Sequence, residues 1–131
     1  MIAYISGKIR KTKQLSVVID VGGISYEVMM PSAIMNGLDR ARCEDGTITL
    51  ITYHYYQMDP SKAIPVLVGF LSEIEKEFFE HFITVSGVGP KAACRALIRP
   101  FSVIAAAIDR GDMAMLKTMP VLVAVRAIAA S

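Results

Sequence analysis

The residues best suited to chemistry in this sequence lie in one stretch, Phe82 to Leu97, reading FITVSGVGPKAACRAL. Gly87-Val88-Gly89 separates two short amphipathic segments, giving a helix, a hairpin and a helix. Two glycines around one apolar residue allow a tight turn whose backbone N–H groups point outward. A helix starting at Pro90 brings its positive dipole end to the same place. Lys91 adds a mobile cation, and Lys91, Arg95 and Arg99 recur at i, i+4 and i+8, which puts them on one helical face. The chemistry this suits is non-covalent: holding a phosphate at the Gly87-Val88-Gly89 turn beside the face of Lys91, Arg95 and Arg99, and reading backbone shape, not base sequence. Spacing alone fits equally well a packing turn beside a solvated basic face.

The other reactive side chains make no catalytic constellation. His54 and His81 have no Cys or carboxylate at ligand spacing, and Cys43 and Cys94 form no CxxC or CxxH pair, so neither a metal site nor a disulfide framework is indicated. No GxSxG, P-loop or HExxH element occurs, so catalytic residues and a cofactor are not expected. Tyr53, Tyr55 and Tyr56 suit either stacking on bases or an ordinary strand. Lys8, Arg10, Lys11 and Lys13 suit either a DNA-facing surface or a charged edge strand. Glu73, Glu75, Glu77 and Glu80 make one acidic helical surface, either solvated or a subunit contact.

The elements that must position the hairpin come in two kinds. Residues 1–70 read as five strands, Ile2 to Arg10, Leu15 to Val21, Ile24 to Met30, Thr47 to Tyr56 and Val66 to Phe70. Gly22-Gly23 marks a two-residue turn between the second and third. Pro31 to Gly37 suggests one helical turn, and Gln57 to Pro65, with Asp59-Pro60-Ser61, a loop. The arrangement expected is a five-stranded OB-like barrel, which strand count separates poorly from an SH3-like one. From Ser72 the period becomes 3.6. Ser72 and Glu75 form a capping box, Ile74, Phe78, Phe82 and Val85 share a stripe, and further helices start near Pro90, Ser102 and Asp112. The fold class is therefore α+β, with a barrel domain over 1–70 and a helical domain over 71–131.

The chain has 131 residues, a formal net charge of +2 and 53% apolar residues, a balance that permits nucleic-acid binding without demonstrating it. So apolar a small chain is expected to cover part of its surface with other subunits. The opening MIAYISGKIRKTK lacks a signal-peptide core, and no apolar run is long enough to span a bilayer, so a cytoplasmic protein without a membrane partner is expected.

The pattern SGVGPKAA resembles the helix-hairpin-helix motif of DNA-binding proteins. With the opening MIAYISGKI, the hairpin IDVGGISYEV, the join VGFLSEIEKEFFEHFITVSGVGPKAA and the later LKTMP, nearly the whole chain resembles the RuvA family, junction-binding subunits of the RuvAB branch-migration machinery. The resemblance implies a non-catalytic homotetramer that holds four-way (Holliday) junction DNA in recombination and repair, with a RuvB-type hexameric ATPase as partner. It makes Ser86 to Gly89, Lys91 and Ala92 a phosphate clamp. It also places an acidic pair near the junction centre, of which this chain carries Asp59, and a further ATPase-docking helical domain beyond Ser131.

One segment departs from the family pattern. Where a second hairpin of glycine, apolar, glycine and basic residues is expected after LKTMP, the chain reads Val121, Leu122, Val123 and Ala124. A β-branched residue costs roughly 1–2 kcal/mol in a left-handed conformation, so the second helix-hairpin-helix, over 115–131, is expected to be degenerate, with Val121 to Ser131 packing as a short apolar helix, Ala127 inward and Arg126 outward. Two other readings follow: an oligomeric scaffold with little DNA affinity, and a helix-hairpin-helix lyase or glycosylase using Asp109 or Asp112.

Overall fold

Alternation of apolar and polar residues builds the first half of the molecule. In the computed structural model, which describes residues 1–111 (side chains of Val85 and Ile108 excepted), strands β1 (Tyr4–Thr12), β2 (Ser16–Val21), β3 (Ile24–Met29), β4 (Thr47–Asp59) and β5 (Lys62–Phe70) close into a barrel. The readings of Asp112 as a helix start and of residues 115–131, with Val121 to Ala124, Arg126 and Ala127, lie outside the described residues. Strand order is β1-β2-β3-β5-β4, with β4 returning to pair with β1 from Tyr4↔Ile51 to Lys8↔Thr47. Every pair is antiparallel except β3 and β5, joined at Val28↔Leu67 and Met29↔Val68. This is the OB-like barrel expected from the sequence.

Inward positions on successive strands fill the barrel: Val17, Ile19, Val28, Ile48, Leu50 and Val68 are fully buried. At Gly7 an added Cβ would run into the Asp20 carbonyl, and at Gly69 it would stand 2.8 Å from Val28 Cγ1. Close approach of neighbouring strands therefore requires glycine at both positions. The Gly22-Gly23 turn has φ of 58° and 94°, and it sets the β2–β3 register from Val21↔Ile24 to Ser16↔Met29.

Two local readings are corrected. Gln57 to Pro65 is not a loop, because β4 and β5 continue as a hairpin arm to Asp59↔Lys62, leaving only Pro60 and Ser61 as the turn. Pro65 pairs with Tyr56 there. β3 reaches β5 only at Leu67 and Val68, so β5 has a free side at Pro65 that tolerates a missing N–H. The turn expected at Pro31 to Gly37 forms as α1 (Ser32–Met35), and an unanticipated second turn, α2 (Leu38–Ala41), follows and buries Leu38.

The helical half comprises α3 (Glu73–Ser86), α4 (Pro90–Ala96) and α5 (Phe101–Arg110). The capping box forms: Ser72 Oγ accepts from the Glu75 amide at 3.2 Å, and Glu75 Oε1 accepts from the Leu71 amide at 3.2 Å. The expected stripe is only partly right, since Ile74 is 78% exposed while Phe79 and Phe82 are buried. Phe79 packs on Phe70 with ring centroids 5.0 Å apart and edge-on to Tyr53 at 5.9 Å. Burying Phe79 rotates Ile74, about 140° round the helix, to the outside. Ala93, Cys94, Leu97, Phe101 and Ile104 complete a core continuous with the barrel's, which holds α3 and α4, and hence the turn between them, against the sheet.

Candidate nucleic-acid interface

Helix α3 ends because Gly87 adopts the left-handed region (φ 71°, ψ 8°), with its N–H donating to the Ile83 carbonyl at 3.2 Å. Ser86 Oγ donates to the Phe82 carbonyl at 2.6 Å and accepts from the Val88 N–H at 3.2 Å. The Val88 side chain, half-buried against the core, pins the turn. Gly89 is extended (φ −68°, ψ 160°) and caps α4, its carbonyl accepting from the Ala93 N–H at 3.0 Å.

This geometry corrects the site in one respect. The Gly87 and Val88 amides, expected to point outward, are satisfied internally. Pro90 has no N–H, so the donors left without an acceptor among the described residues are the amides of Gly89, Lys91 and Ala92. The two glycines also differ in kind. Neither meets an atom within 4 Å of an added Cβ, but Gly87 has a positive φ that disfavours other residues, whereas any residue can adopt the Gly89 conformation. Folding favours glycine at 87 and leaves 89 open to choice.

Lys91 and Arg95 are exposed and line one wall of a cleft whose other wall is Leu15, Ser16, Glu27 and Met29. Among the described residues neither cation enters an ion pair. Arg99 does not share their face: α4 stops at Ala96, Leu97 turns out of the helical region (ψ 74°), and Arg99 precedes Pro100, which disfavours helix.

The Glu27 wall lies outside the residues that motif and spacing single out. Glu27 Oε2 accepts from Lys13 Nζ at 2.9 Å and Ser16 Oγ at 2.8 Å, and these bonds, Lys13 first, hold its carboxyl below the ordinary carboxylate value. Its only signal in the sequence was outward parity on β3.

The remaining candidates are scattered. Asp59 is exposed at the tip of the β4–β5 arm, opposite Lys62. Tyr53 faces α3 and lies beside Tyr55 with centroids 5.8 Å apart, so these two are packing residues and not a stacking platform, while Tyr56 is 58% exposed. Strand β1 pairs with β4 from Tyr4 to Lys8 and with β2 from Lys8 to Thr12, so Lys8 is paired on both sides and the edge-strand reading fits only Arg10, Lys11 and the adjoining Lys13. His54 accepts from the Ile2 N–H through Nδ1 at 3.1 Å. The acidic surface of α3 is partly engaged within the fold: Glu73 accepts from Tyr4 Oη at 2.6 Å, Glu75 caps the helix, and Glu80 lies 3.8 Å from Lys76. Asp109 is exposed at the end of α5. No cluster of three metal-binding side chains occurs among the described residues. Burial pushes the Cys94 thiol up to about 12.

Residues 1–61 match the family described as the RuvA N-terminal domain. Across more of the chain, the Holliday junction branch migration complex subunit RuvA of Desulfatibacillum aliphaticivorans is 39% identical over 119 residues, which is 91% of this chain and 56% of that protein. The chain belongs to the RuvA family. The proteins of the same description from Desulfosudis oleivorans and Trichlorobacter lovleyi are 37% and 38% identical, covering 88% and 92% of this chain and 55% and 56% of their own lengths. The chain thus spans about half the length of the RuvA relatives it matches. Among the described residues no helix is long and apolar enough to cross a membrane.

Proposed function

We propose that this chain is a non-catalytic, Holliday-junction-binding subunit acting in recombination and repair, which holds junction arms through phosphate contacts while a partner ATPase drives branch migration. The observation that carries this reading is that the amides of Gly89, Lys91 and Ala92 have no acceptor, and the cations Lys91 and Arg95 no ion pair, among the described residues, in a chain of the RuvA family. Backbone N–H groups and mobile cations grip phosphates irrespective of base sequence, so discrimination comes from the shape of the DNA. Ser86, Gly87 and Val88 support the grip by shaping the turn.

In this reading four copies assemble through a homotetramer, Asp59 at the tip of the β4–β5 arm meets the junction centre as its acidic pin, and a RuvB-type hexamer supplies the ATPase activity. The first 70 residues act as the assembly domain and residues 71–131 as the DNA-gripping one. Two unpaired thiols suit a reducing cytoplasm. The purified protein should bind a four-way junction more tightly than a linear duplex of equal length in moderate salt, and equal affinity for the two would overturn the proposal. The valine-rich Val121 to Ala124 favours a second reading, a scaffold that keeps its oligomer and has lost DNA affinity. Light scattering showing a tetramer that binds no junction would select it.

A further inference from the structure

The basic wall of α4 faces a barrel wall that the hairpin reading does not use. Lys91 and Arg95 stand across the cleft from Ser16 and Glu27, and Glu27 Oε2 holds Lys13 Nζ at 2.9 Å. Lys11 is near enough to act on the same carboxylate. Lys13 and Lys11 thus act on one acid in a cleft that Lys91 and Arg95 also line, and that acid bonds to Lys13 and Ser16 while Lys91 and Arg95 enter no ion pair among the described residues.

Such a cluster is matched to a polyanion in all but one respect. A phosphodiester backbone held by Lys91 and Arg95 would lie in the cleft that Ser16 and Glu27 also line. There it meets Lys13 already occupied and a carboxylate that repels it. The Lys13–Glu27 pair is half-exposed, with side-chain exposures of 45% and 52%, so its own strength is small and a phosphate can compete for the lysine.

We propose that the cleft between α4 and the β2–β3 wall is a second backbone-contact surface for the bound nucleic acid, in which Glu27 is a positioning residue that withholds Lys13 and limits affinity. This rests on the reading of Lys91 and Arg95 as phosphate contacts. Glu27 makes the grip weaker than the cations alone would allow, which suits a subunit that must let DNA slide through it.

The test measures binding of the purified chain to a labelled four-way junction across a salt series, for wild type, Glu27→Gln, Lys13→Ala with Glu27→Gln, and Glu44→Gln as a control for charge alone. Glu27→Gln keeps an acceptor for Ser16 and should bind roughly two- to fivefold tighter, the range of one exposed charge contact, with the salt slope steeper by about one. Lys13→Ala in that background should remove the gain, and Glu44→Gln should not reproduce it. If Glu27→Gln binds no tighter while Lys91→Ala weakens binding, the cleft inference fails and the hairpin reading stands. An equal gain from Glu44→Gln also overturns it. If wild type binds no junction, both fall.

Discussion

Gly89→Ala separates the demands of folding from those of binding. Its backbone (φ −68°, ψ 160°) suits alanine, and an added Cβ meets nothing within 4 Å, so the folded state loses only glycine's advantage as the N-cap of α4. The unfolded chain loses freedom worth about 0.4–1 kcal/mol, which offsets that loss and should leave the stability within about 0.5 kcal/mol of wild type. In the proposed function a phosphate approaches the Gly89, Lys91 and Ala92 amides, and the same methyl would stand in its way. Losing one charge-assisted hydrogen bond of about 1.5–3 kcal/mol lowers affinity by roughly 10- to 150-fold. Gly87→Ala should behave differently, because a left-handed φ of 71° costs about 1–2 kcal/mol on folding. Thermal melts by circular dichroism and junction titration by fluorescence anisotropy read the two effects. The reasoning is refuted if Gly89→Ala binds as wild type, or if it melts below it while Gly87→Ala does not.

Three further outcomes follow from the packing and electrostatics. Gly7→Ala forces a methyl into the Asp20 carbonyl between β1 and β2 and should destabilise the barrel by about 1–3 kcal/mol, read as a lower urea midpoint. In the native protein an alkylating reagent near neutral pH should modify exposed Cys43 and spare Cys94, whose thiol burial holds near 12; mass spectrometry finding Cys94 labelled without denaturant would contradict the packing of α4. Glu27 has a lowered pKa, so its bond to Lys13 contributes stability above the ordinary value of 4.5 and loses it as pH falls through the lower folded value. Urea midpoints should drop a little more for wild type than for Glu27→Gln on the acid side, and identical pH profiles would deny the pair any role.

Much of the fold was legible because local and global signals agreed. The alternation in β2 and β3 and the glycine pair between them point to the same hairpin, and Ser72 with Glu75 marks the start of α3 in sequence and in space. The errors arose where one residue admits two contexts. Pro60 and Pro65 read as a loop, yet one occupies a two-residue turn and the other a strand with a free side. Ile74 joined a plausible stripe, but the aromatic packing of Phe79 chose another face of α3. In the candidate site, the sequence located the turn but not its donors. Which amides remain open depends on Ser86 Oγ turning back to Val88 and on Gly87 closing the last turn of α3, and neither follows from residue type. The i+8 placement of Arg99 failed because Pro100 ends the helical run early. Glu27 was invisible because its neighbours Lys91 and Arg95 come from the other half of the chain.

The most direct test is amide-resolved NMR of the labelled protein titrated with a short junction or duplex. The Gly89, Lys91 and Ala92 N–H resonances should move most and saturate together, with the internally bonded Gly87 and Val88 amides responding less. Saturable binding that leaves those three resonances in place would contradict the assignment of the hairpin as the phosphate-holding element.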